Sequence, residues 1–470
     1  MQGIHTVGEI RIAEAELMRL LPPGALMQRA AHALSVQCQR LLGHVYGRRV
    51  VLLVGSGGNG GDALYAGARL ARLGAAVDAL LLAPDRTHTG GLAEFRASGG
   101  RLVDDLPEQA ELVIDGIIGI GGSGGLRGAA AQLPHRLAGR TVVSVDVPSG
   151  VDADTGAVDG PAVSADLTVT FGTIKPGLVT GAGAGHTGQV RLVDIGLGPH
   201  LPQPRARILE AADVAGVLPE PSGSDDKYTR GVVGVIAGSV DYPGAGVLST
   251  GAAIHGGAGM VRYLGRAPDM IRARYPEVVV HEDAVPDDVR VQAWVVGPGL
   301  GTDDAARSLV SDVLNTNLPV VVDADAITIV AGDPDLVRAR AAPTVLTPHD
   351  REFERLPVKL TGDRLDSARR AAAELDATLL LKGDATVVAA PSGLAFVNTT
   401  GTPWLGTAGS GDVLSGLIGS LLAGGVQPTL AAAVAAHVHG VAGQVAALGG
   451  PPSSADVLGA LRQAFRLVRS

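Results

Sequence analysis

Short aliphatic runs that each stop at a glycine, proline or aspartate, with helix-length stretches between them, constrain this chain more than any other feature. Arg49, Val50, Val51, Leu52, Leu53 and Val54 form the first clear run, and residues 62–73 follow with helical periodicity. Residues 76–82, 111–114, 141–147, 165–171 and 189–195 repeat the strand signal. Strands alternating with helices imply a parallel sheet with right-handed crossovers, and ligands on such sheets collect where the strands end. From about residue 198 to 224 the chain is proline-rich and reads as a linker. A second series of strands is expected at 231–237, 291–296, 319–323, 343–346 and 378–381. The fold class is therefore α/β, with domains expected at 1–215 and 225–470.

Composition supports two such domains. At 470 residues the chain exceeds one core of usual size. Its 67 glycines, 18% charged and 3% aromatic residues fit α/β domains and argue against disorder and coiled coil. A net charge of -9 without a basic run predicts no nucleic-acid partner. The single cysteine, Cys38, rules out an internal disulfide and a cysteine-based zinc cluster. Residues 1–20 carry Glu9, Arg11, Glu14, Glu16 and Arg19, so no signal-peptide core is read there and a cytoplasmic enzyme is expected. Residues 413–455 lack Asp, Glu, Lys and Arg. The Gly424, Gly425 and Pro428 break, with His437, His439 and Gln444 beyond it, makes two helices buried against a sheet the expectation, not a membrane hairpin. Both histidines are assigned to packing.

Chemistry is clearest near the end of the chain. Gly406, Thr407, Ala408, Gly409, Ser410 and Gly411 lead into an apolar run of helix formers, with Asp412 at the turn. The first amides of a helix lack intrahelical partners and sit at the positive end of its dipole, so this loop is suited to phosphate oxygens. A carboxylate at the same place can take the proton of an attacking hydroxyl.

Further loops follow strands in this half. They are Gly238 to Gly246, Gly297-Pro298-Gly299-Leu300-Gly301, Asp323-Ala324-Asp325, Thr347-Pro348-His349 and Lys382-Gly383-Asp384-Ala385-Thr386. In this order they resemble the ribokinase-like fold, in its branch of ADP- or ATP-dependent NAD(P)H-hydrate dehydratases. That resemblance implies a repair reaction on NADHX and NADPHX, the hydrated forms of NADH and NADPH. Phosphorylation of the C6 hydroxyl of the S form by ADP precedes elimination, releasing AMP and phosphate. It places the hydrate on Ala245, Gly299, His349 and Asp412, and the nucleotide on Lys382, Gly383, Asp384, Ala385, Thr386 and Gly411. Asp412 is the expected base, the amides of Ser410 and Gly411 the anion hole, and magnesium accompanies ADP. Asp323 and Asp325 read equally well as helix caps. A kinase of a small alcohol or vitamin precursor, with a nucleotide-binding first half, is the alternative reading.

The first half carries Gly57-Gly58-Asn59-Gly60-Gly61-Asp62 between strand and helix, without a Walker lysine or a clean dinucleotide fingerprint. Loops around Asp115, Asp146 and Lys175 also end predicted strands. Together they resemble the NAD(P)HX epimerase domain, a Rossmann-like three-layer sandwich. The resemblance places potassium on Asn59, Asp115 and Ser149. It places the hydrate on Gly58, Asn59, Gly60, Gly61, Asp62, Gly119, Ile120, Gly121, Gly122, Ser123, Gly124, Gly125 and Asp146. Asp146 is the expected acid–base group, with Lys175 as its helper. The chain departs from the family pattern at Gly58, Ala63 and Gln28, where Ala63 is expected to press a methyl toward the dinucleotide. A homo-oligomer is implied.

Overall fold

The structure, a computed structural model, describes residues 1–122, 124–281 and 290–470. The chain forms two compact units, Gln2–Arg205 and Ala206–Ser470. The division falls earlier than the proline-rich segment suggests. Within that segment Ala206–Ile208 is a strand pairing in parallel with Ala395–Asn398, so residues 206–215 pack with the second unit.

The first unit holds a seven-stranded sheet in the order Arg101–Val103, Ala76–Leu81, Arg49–Val54, Leu112–Gly116, Val142–Val145, Leu167–Phe171, Gln189–Val193. Its pairs are parallel. Val50 to Val54 are all buried, as a continuous aliphatic run requires when both faces are covered. Helix Gly58–Arg72 lays Ala63, Leu64, Ala66 and Leu70 onto that core. Helix Val7–Leu20 begins at a capping box, Thr6 accepting from the Glu9 amide and Glu9 from the Thr6 amide. Register places Asp115 beside Ser144 and Val145 beside Val169, which sets the geometry of the loops that follow.

In the second unit the sheet runs Ala206–Ile208, Ala395–Asn398, Thr386–Ala389, Thr378–Leu381, Thr344–Leu346, Val320–Val322, Ala293–Val296, Val232–Ile236, Met260–Tyr263, Val279–Val280. Parallel pairing holds except in the two contacts of Thr386–Ala389, which are antiparallel. The expectation of parallel strands alone misses this hairpin, because Thr386–Ala389 directly follows the ligand-like loop after Leu381. Strand Met260–Tyr263 was also unmarked, its Arg262 breaking the aliphatic run.

Residues 410–447 form the two expected helices, Ser410–Ala423 and Pro428–Ala447. Helix Pro428–Ala447 is long and apolar enough to cross a membrane by length and composition, yet 67% of its most apolar window is buried inside the protein. Ala431 to Ala436, Val438 and Ala442 join the core of the second unit with Val413, Leu417, Ile418 and Leu421. Small alanines let the helix lie close to its neighbours, which accounts for a stretch without charges.

Candidate active sites

Among the described residues, each unit carries a large cavity at the ends of its strands. In the first, a cavity of about 960 Å³ is lined by Gly58, Asn59, Asp62, Gly119, Ile120, Gly121, Gly122, Asp146 and Lys175, with Glu14 and Gln28 from the first helices. Asp146 follows strand Val142–Val145 with φ +66, a left-handed conformation that aspartate tolerates better than most residues. That turn swings its carboxylate back toward the next strand. Asp146 Oδ1 accepts from Thr170 Oγ1 at 3.1 Å, the Phe171 amide at 3.3 Å and Lys175 Nζ at 2.5 Å. Lys175, 1% exposed, spends its other donors on Thr170 Oγ1 and the Phe171 carbonyl, both at 2.9 Å. The helper role read for Lys175 thus has a direct contact behind it.

Two further carboxylates face the same space. Burial pushes Asp62 well above the ordinary carboxylate range, with the charges of Asp146 and Glu14 adding to it. Its Oδ1 is buried without a hydrogen-bond partner. Burial also raises Glu14, with Asp146 adding while Lys175 and Arg11 oppose. One lysine therefore stands against three carboxylates, and it pairs with Asp146.

Asp115 is fully buried at the end of Leu112–Gly116, with burial raising its pKa against its hydrogen bonds. Its oxygens accept from Ser144 Oγ at 2.8 Å, the Ser149 amide at 2.9 Å and Ser149 Oγ at 2.6 Å. No cation is among these partners. Asn59 lies one loop away, its Oδ1 2.8 Å from where a side chain on Gly119 would begin, and its amide nitrogen is buried and unpartnered.

Other positions fall elsewhere. Gly60 and Gly61 are buried within the helix and Gly124 and Gly125 lie beyond the lining, while Ser123 is outside the described residues. Ala63 is corrected. Its methyl is buried and points at Gly116, where an added Cβ would come within 2.6 Å, so it packs helix on strand and does not meet the cavity. A side chain at Gly58 would meet nothing within 4 Å, and Gln28 accepts from Arg69 at 3.1 Å.

In the second unit a cavity of about 820 Å³ is lined by His349, Glu352, Lys382, Gly383, Asp384, Thr386, Ser410, Gly411 and Asp412, with Asp323 at its base. Gly409, at φ +89, turns the chain into helix Ser410–Ala423, and Asp412 sits in the first turn. Burial raises Asp412 to about 7, with Asp323 adding and Lys382 opposing. Lys382 Nζ instead donates to Asp323 Oδ1 at 2.8 Å and lies 3.7 Å from Glu352 Oε2. Burial opposes its charge, but Asp323 and Glu352 prevail and hold the lysine above its usual value. Gly411 belongs against this pair, since an added Cβ would stand 3.4 Å from Lys382 Nζ.

His349 is half exposed and caps helix Asp350–Phe353, its Nδ1 accepting from the Glu352 amide at 3.2 Å. It is therefore no buried packing residue. Ala245 and Gly299 meet each other, an added Cβ on Gly299 (φ +58) coming within 2.8 Å of the Ala245 methyl, but neither lines the cavity. Ala385 is buried beside the lining.

The sequence leaves Asp323 open between a site loop and a helix cap, and the structure decides against the cap. Ala324 occupies the cap position, while Asp323 is 1% exposed and bound by Lys382 and by Ser415 Oγ at 2.6 Å. Asp325 instead accepts from the Gly301 amide at 2.8 Å. Glu352 and Ser415 were missed. The signal for Glu352 was its place three residues after His349; Asp323 and Lys382, 59 residues apart, gave none.

Comparison with known proteins gives a separate family match in each half of the chain. A family model for NAD(P)H-hydrate dehydratase matches residues 233–453, and one for the YjeF-related protein N-terminus matches residues 23–177. The chain is 53% identical to the bifunctional NAD(P)H-hydrate repair enzyme Nnr of Mycobacterium tuberculosis, over 92% of each chain. It is 51% identical to the enzyme of the same description from Mycobacterium leprae, over 97% of this chain and 96% of that one. Among solved structures, the ADP/ATP-dependent NAD(P)H-hydrate dehydratase of Bacillus subtilis, co-crystallised with ATP/Mg2+, aligns with TM-score 0.51 and 27% identity. It covers 56% of this chain and 98% of that chain.

Proposed function

The chain belongs to the family of bifunctional NAD(P)H-hydrate repair enzymes, and from that premise we propose how its two cavities divide the work. The enzyme interconverts the R and S forms of hydrated NADH and NADPH and dehydrates the S form at the expense of a nucleotide. Epimerisation belongs to the first cavity and dehydration to the second. The observation that carries the second assignment is Asp412, partly buried at the head of a glycine-initiated helix and pushed up to about 7. A carboxylate so placed takes the C6 hydroxyl proton near neutral pH while the amides of Ser410 and Gly411 hold the transferred phosphoryl group. Lys382, with Gly383 and Thr386 beside it, meets the nucleotide phosphates. ADP is the donor in this reading, leaving AMP and, after elimination, phosphate. Asp323, Glu352 and Asp412 line the same cavity as Lys382, so the nucleotide's charge calls for a metal ion as counter-charge, and magnesium bound to ADP supplies it.

In the first cavity Asp146 gives and takes the proton as the C6 hydroxyl leaves and water returns on the other face, and Lys175 fixes its orientation. Potassium fits the neighbouring loops, where the oxygens of Asn59, Asp115 and Ser149 are hard donors and buried Asp115 has no cation among its hydrogen-bond partners. There it supplies positive charge that orders the loops; no proton passes through it. We place the enzyme in the cytoplasm as a homo-oligomer.

The test is NADH absorbance recovered from a mixed R/S NADHX sample with magnesium, potassium and either ADP or ATP. Complete recovery, faster than spontaneous epimerisation, is expected, with ADP the better donor. Recovery that stops at the S fraction removes the epimerase assignment. No recovery with either nucleotide removes the dehydratase assignment, and a stable phosphorylated alcohol would indicate a kinase instead.

A further inference from the structure

Arg364 opens helix Arg364–Leu375, which Asp363 caps and which buries Leu365, Ala368, Ala371, Ala372 and Leu375. Its side chain is 15% exposed and stands behind the second cavity, outside the lining. There it joins two loops that the cavity does use. Nη1 donates to both carboxylate oxygens of Asp350, at 2.8 and 2.9 Å, and Nη2 donates to the Lys382 carbonyl at 2.8 Å. A Cβ added at Gly383 would come within 2.7 Å of the same Nη2, so the guanidinium lies against the bare face of that glycine.

Each contact bears on the site. Asp350 lines the cavity beside Glu352 and Asp384, and Arg364 balances its charge from behind. The Lys382 amide is held by the Pro348 carbonyl at 2.8 Å, so Arg364 supplies the second backbone restraint on that residue. Beyond Lys382 the turn restrains itself little. Among the described residues, Gly383, Asp384 and Ala385 share no backbone hydrogen bond, and the Thr386 hydroxyl reaches the Gly383 carbonyl at 3.2 Å. His349 depends on Arg364 less, because its amide donates to Glu352 Oε2 at 2.9 Å and its Nδ1 accepts from the Glu352 amide at 3.2 Å. We propose that Arg364 is a positioning residue for the nucleotide: its planar fork fixes the Lys382–Gly383 backbone against the Asp350 turn and so sets where the phosphates bind. The inference rests on the nucleotide assignment above and adds a residue that never meets the ligand.

Steady-state dehydration of (S)-NADHX by the full-length protein tests it, with ADP varied at saturating hydrate and then the reverse, magnesium present throughout. Arg364→Lys keeps the charge beside Asp350, but a single ammonium on a flexible stem cannot hold both partners in one plane. Arg364→Gln removes the charge as well. The Lys variant is expected to raise the KM for ADP about tenfold, the worth of one charge-assisted hydrogen bond, with kcat and the KM for hydrate near the parent's. The Gln variant should raise it further. Parental ADP KM in Arg364→Lys overturns the inference, since Arg364 would then act as a counter-charge alone. So does an equal rise in both KM values, which would report a general disturbance of the fold. If dehydration by the parent does not depend on added nucleotide, the nucleotide assignment falls and takes the inference with it.

Discussion

Both cavities contain a lysine beside an aspartate, yet the two lysines are used in opposite ways. Lys175 grips Asp146, the proposed acid–base group, at 2.5 Å. Lys382 grips Asp323 at 2.8 Å and leaves the proposed base Asp412 unpaired, so that burial and Asp323 together carry Asp412 to about 7. The same residue types thus give a carboxylate pinned by a cation in one unit and a carboxylate poised near neutrality in the other. For reversible loss and return of a hydroxyl, fixed orientation matters most. To accept a proton during phosphoryl transfer, a carboxylate needs a pKa near the working pH.

The contrast can be broken at several points. Asp412→Asn should lower dehydration of (S)-NADHX about a thousandfold, followed as NADH absorbance, while epimerisation measured by chromatography of the two hydrates is unchanged. Asp146→Asn should lower epimerisation about a hundredfold and leave dehydration of the S form intact. Loss of both activities in either variant would mean that the two sites are not chemically separate.

Stability sharpens the difference. Lys175→Met strips a buried carboxylate of its cation and should cost about 3 kcal/mol in denaturant unfolding. Asp412→Asn should do the reverse at alkaline pH. Because folding raises the Asp412 pKa from 3.8 to about 7, its contribution is fully present below the unfolded value and is lost as pH rises through about 7. The Asn variant should therefore melt a few degrees higher than the parent at about pH 8 and no higher at about pH 4. The smallest effect concerns Asp323→Asn. Removing that charge lowers the Asp412 pKa, so the pH–rate limb of dehydration moves to lower pH.

Much of this was legible before the structure. Arg49 to Val54 and Thr378 to Leu381 are strands over the residues expected, because continuous aliphatic runs bounded by turn residues leave little else to form. Gly409 to Asp412 was readable as a helix entry for the same local reason. What stayed hidden was non-local. Nothing near Asp323 shows that it will meet Lys382 and Ser415, since those partners come from another strand and another helix. Asp323 followed by Ala324 and Asp325 looks like a cap, and local capping is the commoner use of such residues. Ala63 was misread because its direction depends on helix rotation against Gly116, which sequence spacing does not give. His439 and His437 are equivalent in an uncharged helix until one is seen to line the cavity.

The most direct test of the contrast is the pH dependence of kcat/KM for dehydration of (S)-NADHX by the parent protein, which reports the base in the free enzyme. The rate should rise with pH through a single limb near about 7 that Asp323→Asn shifts to lower pH. A rate that stays flat from about pH 5 to about pH 9 would mean Asp412 is already ionised at the ordinary carboxylate value. It would contradict the claim that the second lysine leaves the base free to titrate.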